Sequence, residues 1–210
     1  MNFIFDFDGT LVDSMPTWAG VHIDMLKRFN IDVPKDFVKT ITPLGNRRAS
    51  LYTISLGAAL PYEEYAETIS KILFYEYTER ILAKSKVLQT LTELKRRGHT
   101  LHVLTASPHK YVDPCLVRNG IFDIFENIWS IDDFGYTKGE VVIYEKAAER
   151  IGAPIDTCVM VDDNLTAIET AALSGMKTVG IYDDTSSSLT EEMKNASDLY
   201  IYEFEEILNF

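Results

Sequence analysis

Two aspartates, Asp6 and Asp8, stand one residue apart directly after the apolar run Asn2–Phe5, in the order Asp6-Phe7-Asp8-Gly9-Thr10. Alternate side chains of an extended segment share a face, so both carboxylates are expected to enter one crevice while Phe7 packs the other way. Gly9 then permits a sharp turn that a β-carbon would hinder. Farther on, Thr105-Ala106-Ser107 follows the apolar run Leu101–Leu104, and Asp162-Asp163-Asn164 follows Cys158–Val161 just ahead of a helical pattern. An Asn in that place ordinarily caps the helix. Two adjacent aspartates are not both explained as caps, and gathered with Asp6 and Asp8 they repel one another unless a cation intervenes. Four convergent carboxylates imply magnesium, a hard ion that takes oxygen ligands, keeps some of its waters and bridges carboxylates to phosphoryl oxygens.

These groups need a frame that delivers them to one edge. Short apolar, β-branched runs recur at Asn2–Phe5, Thr100–Leu104, Thr157–Val161 and Lys177–Tyr182, with weaker ones at Glu126–Trp129 and Asp198–Tyr202, and these predict strands. Between them lie amphipathic stretches at Val87–Arg97, Lys110–Asn119, Glu140–Ile151 and Asn164–Ser174, each closed by a glycine as helices often are. Strands alternating with helices, each strand continuously apolar, describe an α/β fold: a doubly wound parallel sheet covered on both faces. The chemistry of such a sheet sits at the carboxyl ends of its strands, where all three polar signals fall. One stretch breaks the alternation. From Met15 to Ser85 there is helical periodicity without a convincing strand, which predicts an inserted all-helical lid over residues 15–85 and a core made of residues 1–14 and 86–210.

Bulk properties narrow the function. The 210 residues suffice for one main domain and an insertion. With 46% hydrophobic and 25% charged residues the composition is that of a soluble globular chain, and no apolar run is long enough to span a bilayer. The N-terminus lacks the basic region of a signal peptide, so a cytoplasmic location is expected. A formal net charge of −12 argues against nucleic-acid partners, since Arg47-Arg48 and Lys95-Arg96-Arg97 are too small a basic footprint. Cys115 and Cys158 are isolated and read as small core residues. The four histidines, His22, His99, His102 and His109, form no spaced cluster; His102 reads as a strand residue and the others as solvated or lid-facing.

Taken together, the ordered set Asp6-Phe7-Asp8-Gly9-Thr10, Thr105, Lys138 and Asp162-Asp163 resembles the haloacid dehalogenase superfamily along the whole chain. The resemblance implies a Rossmann-like core with a helical cap inserted after the first motif, and a phosphatase acting on a small phosphorylated metabolite with Mg2+. Asp6 would be the nucleophile that forms an aspartyl-phosphate, and Asp8 the acid that protonates the leaving oxygen and then the base that activates water. Thr105 and the backbone at Ala106 would bind the phosphoryl group. Lys138, placed 25 residues before Asp163, would neutralise nucleophile and phosphate. Magnesium would be held by Asp6, the Asp8 carbonyl and Asp163, with Asp162 a direct or outer ligand. The segment from Thr42 to Arg48 resembles the cap loop that reads the substrate, with Gly45 giving the turn and Arg48 meeting an anionic group.

Two departures mark the branch. Ala167 stands where the commoner acidic motif carries a later aspartate, so the Asp162-Asp163 pair must serve. Trp18 stands where β-phosphoglucomutase-like phosphotransferases carry a His, which disfavours that alternative. A third reading, a non-catalytic phosphoacceptor module, conflicts with the helical insertion. The protein is expected as a monomer or weak homo-oligomer.

Overall fold

The computed structural model describes residues 1–41 and 44–210. The chain opens with β1 (Asn2–Phe5) and passes through four helices, α1 (Met15–Arg28), α2 (Phe37–Ile41), α3 (Gly45–Ser55) and α4 (Tyr62–Glu79). It then alternates: α5 (Val87–Arg96), β2 (Thr100–Thr105), α6 (His109–Arg118), β3 (Asn127–Ser130), α7 (Val141–Ile151), β4 (Cys158–Asp162), α8 (Leu165–Ser174), β5 (Lys177–Ile181), α9 (Thr190–Ala196) and β6 (Leu199–Ile201). The six strands form one sheet in the order β3-β2-β1-β4-β5-β6, every pair parallel. The predicted strands and covering helices lie within one residue of these bounds. Burial explains why: Phe3, Ile4 and Phe5, like Cys158 to Val161, are covered on both faces, so each strand is written as an unbroken apolar run.

From β1 the chain winds outward to β2 and β3, then returns to the other side of β1 for β4. The strand order therefore reverses between β1 and β4, and the crevice at their carboxyl ends is the place where such sheets bind ligands. Among the described residues no helix is long and apolar enough to cross a membrane. Cys115 and Cys158 are buried, as expected.

Two compact units emerge, one of Met1–Asp13 with Ile81–Phe210 and one of Ser14–Arg80. The boundary differs from the expected one because residues 81–85, though without a strand pattern of their own, are tied into the first unit. Lys84 N donates to Leu11 O and Asp13 N to Leu82 O, and Lys84 Nζ pairs with Asp183 at 2.8 Å.

In the second unit, α4 buries Tyr65, Ile69, Leu73 and Tyr77 at four-residue spacing, one stripe of an amphipathic helix. His22 on α1 corrects the expectation of a solvated or lid-facing side chain. It is buried, with Nδ1 2.9 Å from the Tyr65 hydroxyl. A single imidazole on an apolar helix face leaves no mark in sequence that separates core from surface. Burial lowers its pKa to about 4 from the ordinary 6.5. The neutral ring thus stabilises the fold fully above pH 6.5, and that contribution, up to about 3 kcal/mol, is lost as pH falls from there through about 4. His22→Leu is accordingly expected to flatten the drop in melting temperature between pH 7 and pH 4.5; an unchanged slope would show that this imidazole does not set the acid limit.

Candidate active site

Asp6 begins where β1 ends. Its N–H donates to Val161 O at 2.9 Å, extending the β1–β4 ladder by one step and holding the residue beside the end of β4. Phe7 is fully buried, as the alternation requires, and its carbonyl accepts from both Leu11 N (2.9 Å) and Val12 N (3.1 Å), which closes a tight turn. Gly9 makes that turn possible for two reasons. Its φ is +80°, and a β-carbon placed there would lie 2.6 Å from Asp163 Oδ2. Gly9→Ala combines left-handed strain with displacement of a site carboxylate, so activity is expected to fall about 100-fold or more. Steady-state kinetics on the folded variant would check this, and near-normal turnover would mean that the Asp163 position is not critical.

Asp162 is the last residue of β4 and Asp163 the next, so the carboxyl end of that strand delivers both. Asn164 caps α8 through a bond from Ala167 N, leaving the aspartates for the site. Lys138, from the segment between β3 and α7, places Nζ 2.5 Å from Asp6 Oδ1 and 2.8 Å from Asp162 Oδ2. The other Asp162 oxygen accepts from Asn164 N at 2.8 Å. Thr10, fully buried, donates its hydroxyl to Asp163 Oδ1 at 3.4 Å. Asp6, Asp162 and Asp163 are all buried, and one ligand oxygen from each lies within 4.8 Å of the others.

Such a cluster is electrostatically incomplete. Burial raises the Asp6 pKa to about 7; the Lys138 ammonium opposes the shift, while Asp162 and Asp8 add to it. Asp163 is likewise raised, by burial first and then by Asp162, Asp6 and Asp183. For Lys138, burial favours the neutral amine, yet the Asp162 and Asp6 carboxylates outweigh it and hold the ammonium above the ordinary lysine value. One lysine cannot balance three buried carboxylates. The donors are all hard oxygens converging on one point, which fits a hard divalent cation.

The remaining expected residues fall into two groups. Asp8 reaches the same edge, but its carboxylate stands outside the three-residue cluster and accepts from Ser107 Oγ at 2.5 Å. Thr105 ends β2, is buried, and accepts from Ser107 N at 3.0 Å; Ala106 between them is exposed. Gly45 and Arg48 belong to the second unit and form the first turn of α3 instead of a loop, with Arg48 exposed. Gly45 does supply a turn conformation, with φ +68°, but it opens α3, so Arg48 extends from a helix. Thr42 lies outside the described residues.

Three residues of the site carried no assigned role in the sequence. Ser107 stands in the motif beside Thr105, where its two-residue spacing was a visible signal. Asp183, which receives Lys84 Nζ and whose charge reaches Asp163, follows β5 without a recognisable pattern. Tyr144 donates to the Lys138 carbonyl at 2.8 Å, yet it reads in sequence as one more core position of α7.

Comparison with known proteins shows the family. The profile of the family described as haloacid dehalogenase-like hydrolase matches residues 3–181. A phosphoglycolate phosphatase of Colwellia psychrerythraea is 28% identical over 188 residues, covering 85% of this chain and 82% of its own. The pyrophosphatase PpaX of Bacillus velezensis is 26% identical, with 85% and 81% covered. Among solved structures, a predicted phosphoglycolate phosphatase from Haemophilus somnus superposes with a TM-score of 0.83 at 22% identity, over 99% of this chain and 96% of that one. CbbY from Rhodobacter sphaeroides, in complex with xylulose-1,5-bisphosphate, superposes at 0.79 and 18% identity, over 98% and 95%. With the motif residues assembled at the switch point of a sheet of this order, the chain belongs to the haloacid dehalogenase-like hydrolases.

Proposed function

We propose that the protein is a phosphatase that hydrolyses small phosphate monoesters through an aspartyl-phosphate on Asp6. The observation that carries this reading is Asp6 itself: a buried carboxylate paired with Lys138, set beside Asp162 and Asp163 at a strand end, with Asp8 two residues on. Asp6 attacks phosphorus and the bond to the leaving oxygen breaks as Asp8 gives that oxygen its proton. Asp8, now a carboxylate, takes a proton from water as the water attacks phosphorus, freeing phosphate and restoring Asp6. Lys138 screens nucleophile and phosphoryl charge, and Thr105 with the Ala106 backbone holds the phosphoryl oxygens. Magnesium, held by Asp6, the Asp8 carbonyl and Asp163, would supply a Lewis acid that offsets repulsion between carboxylates and phosphate. Both Asp162 oxygens are already engaged, by Lys138 and Asn164 N, which favours an outer position for it.

The second unit, with Arg48 at the start of α3, would serve as cap and reader of the leaving group. Relatives include a phosphoglycolate phosphatase and a hexitol phosphatase B of Escherichia coli, both acting on small phosphorylated compounds by name. The phosphotransferase alternative is disfavoured at Trp18, whose indole N–H donates to the Tyr77 hydroxyl at 2.8 Å and offers no imidazole for proton exchange. Magnesium-dependent phosphate release should be measured across a panel of small esters. Release above that of an Asp6→Asn control is expected; none across the panel would overturn the reading, and isomerisation of a sugar phosphate would favour the phosphotransferase.

A further inference from the structure

Lys138 is held at both ends of its residue. Its ammonium meets Asp6 and Asp162, and its backbone carbonyl accepts from Tyr144 Oη at 2.8 Å. The same hydroxyl lies 3.0 Å from the carbonyl of Ala167, in the first turn of α8. Tyr144 is fully buried on α7, packed with Ile4, Met160 and Ala171. From the crevice side, then, one phenol stands between the segment that carries Lys138 and the helix that follows Asp162-Asp163. We infer that Tyr144 is a positioning residue for catalysis, its hydroxyl setting the reach of Lys138 to Asp6 by fixing the backbone from which that lysine extends.

Geometry requires such a tether. Lys138 lies in a segment without strand or helix, between Phe134 and Glu140, and a four-carbon side chain there has many rotamers. Around it, Thr137 N donates to Glu140 Oε2 at 2.8 Å, at an exposed place where water competes. The Tyr144 bond is made by a buried donor, where a hydrogen bond gains strength from the low local dielectric. The phenol also stays protonated, because burial, and then the nearby Asp162 carboxylate, push its pKa up. It is thus a permanent donor, within hydrogen-bonding reach of both the Lys138 and the Ala167 carbonyls. The residue touches no reacting atom and acts only through Lys138, so the inference rests on the role proposed for that lysine.

A double-mutant cycle in kcat/KM tests it. Tyr144→Phe keeps the ring and removes only the bond, and is expected to lower kcat/KM about 10-fold. Lys138→Ala alone is expected to lower it far more. In the Lys138→Ala background, Tyr144→Phe is expected to change nothing further, although it lowers the melting temperature by the same amount in both backgrounds. Assays run well below each variant's melting midpoint keep folding loss out of the comparison. An equal kinetic loss in both backgrounds, or no loss in either, would overturn the inference. Normal activity of Lys138→Ala would instead remove the proposed role of the lysine itself.

Discussion

Asp6→Asn is expected to lower phosphate-ester turnover roughly 10⁴-fold or more, because a neutral amide cannot accept the phosphoryl group and the covalent route closes. Stability is expected to move the other way. In the metal-free protein the Asp6 carboxyl has its pKa raised to about 7 from 3.8, by burial and by the Asp162 and Asp8 charges against the pull of Lys138. Its folded value lies above its unfolded value, so the fold is favoured while the group is protonated, below pH 3.8. That advantage is lost as pH rises through about 7, for a cost of up to about 4 kcal/mol. An isosteric amide carries no such cost, and Lys138 keeps Asp162 as its partner. Measured at pH 8 without divalent ions, the variant should melt at or above the wild-type temperature while releasing no phosphate. A variant that melts well below wild type would show that the Asp6–Lys138 pair is a net stabiliser and that the electrostatic account of the site is wrong.

The second large effect is expected from the cation. Chelation should abolish turnover, and magnesium at ~100 times its Kd should stabilise the protein by ~2.7 kcal/mol. For a chain of this size that is a rise of about 5–10 °C in melting midpoint. Variants separate the ligands. Asp163→Asn removes one of the three clustered carboxylates and should abolish most of the shift, whereas Asp8→Asn leaves the backbone carbonyl in place and should retain it while losing activity. The difference follows from where the Asp8 carboxylate sits, bonded to Ser107 Oγ and outside the cluster. A shift of equal size in Asp163→Asn and wild type would remove that residue from the ligand set.

The tyrosine and lysine cycle bears on the same balance from another side. One ammonium answers to two carboxylates, so its placement sets how closely each of them is paired before substrate arrives. A site built this way depends on backbone anchors as well as on the residues that do chemistry.

How much of this was legible in the sequence follows from the physics of each signal. The strands are legible because a parallel strand buried on both faces must be apolar throughout, and Asn2–Phe5 or Cys158–Val161 admit little else. Helix ends are legible because Gly152 and Gly175, both in the left-handed conformation, close α7 and α8. The spacing of Asp6 and Asp8 is legible as placement at one strand end, but not that the Asp8 carboxylate would stand outside the cluster of Asp6, Asp162 and Asp163, bonded to Ser107 Oγ. His22 was not legible, since whether an imidazole on a helix is buried depends on α4 and its Tyr65, 43 residues away. Nor was the start of α3, where Gly45 reads equally as a turn or as the first residue of a helix.

By itself, then, the sequence determined the α/β alternation, the helical insertion and the polar groups set at the strand ends, all of them consequences of local periodicity and residue type, while Lys138 was singled out only by the family resemblance. Only the tertiary structure decided that Lys138 reaches Asp6 across 132 residues, that Gly9 makes room for the Asp163 carboxylate, and that a tyrosine hydroxyl on α7 holds the lysine's backbone. Those are distances between strand ends, and they exist only once the sheet is ordered β3-β2-β1-β4-β5-β6 and its carboxyl edge has brought remote segments within hydrogen-bonding reach.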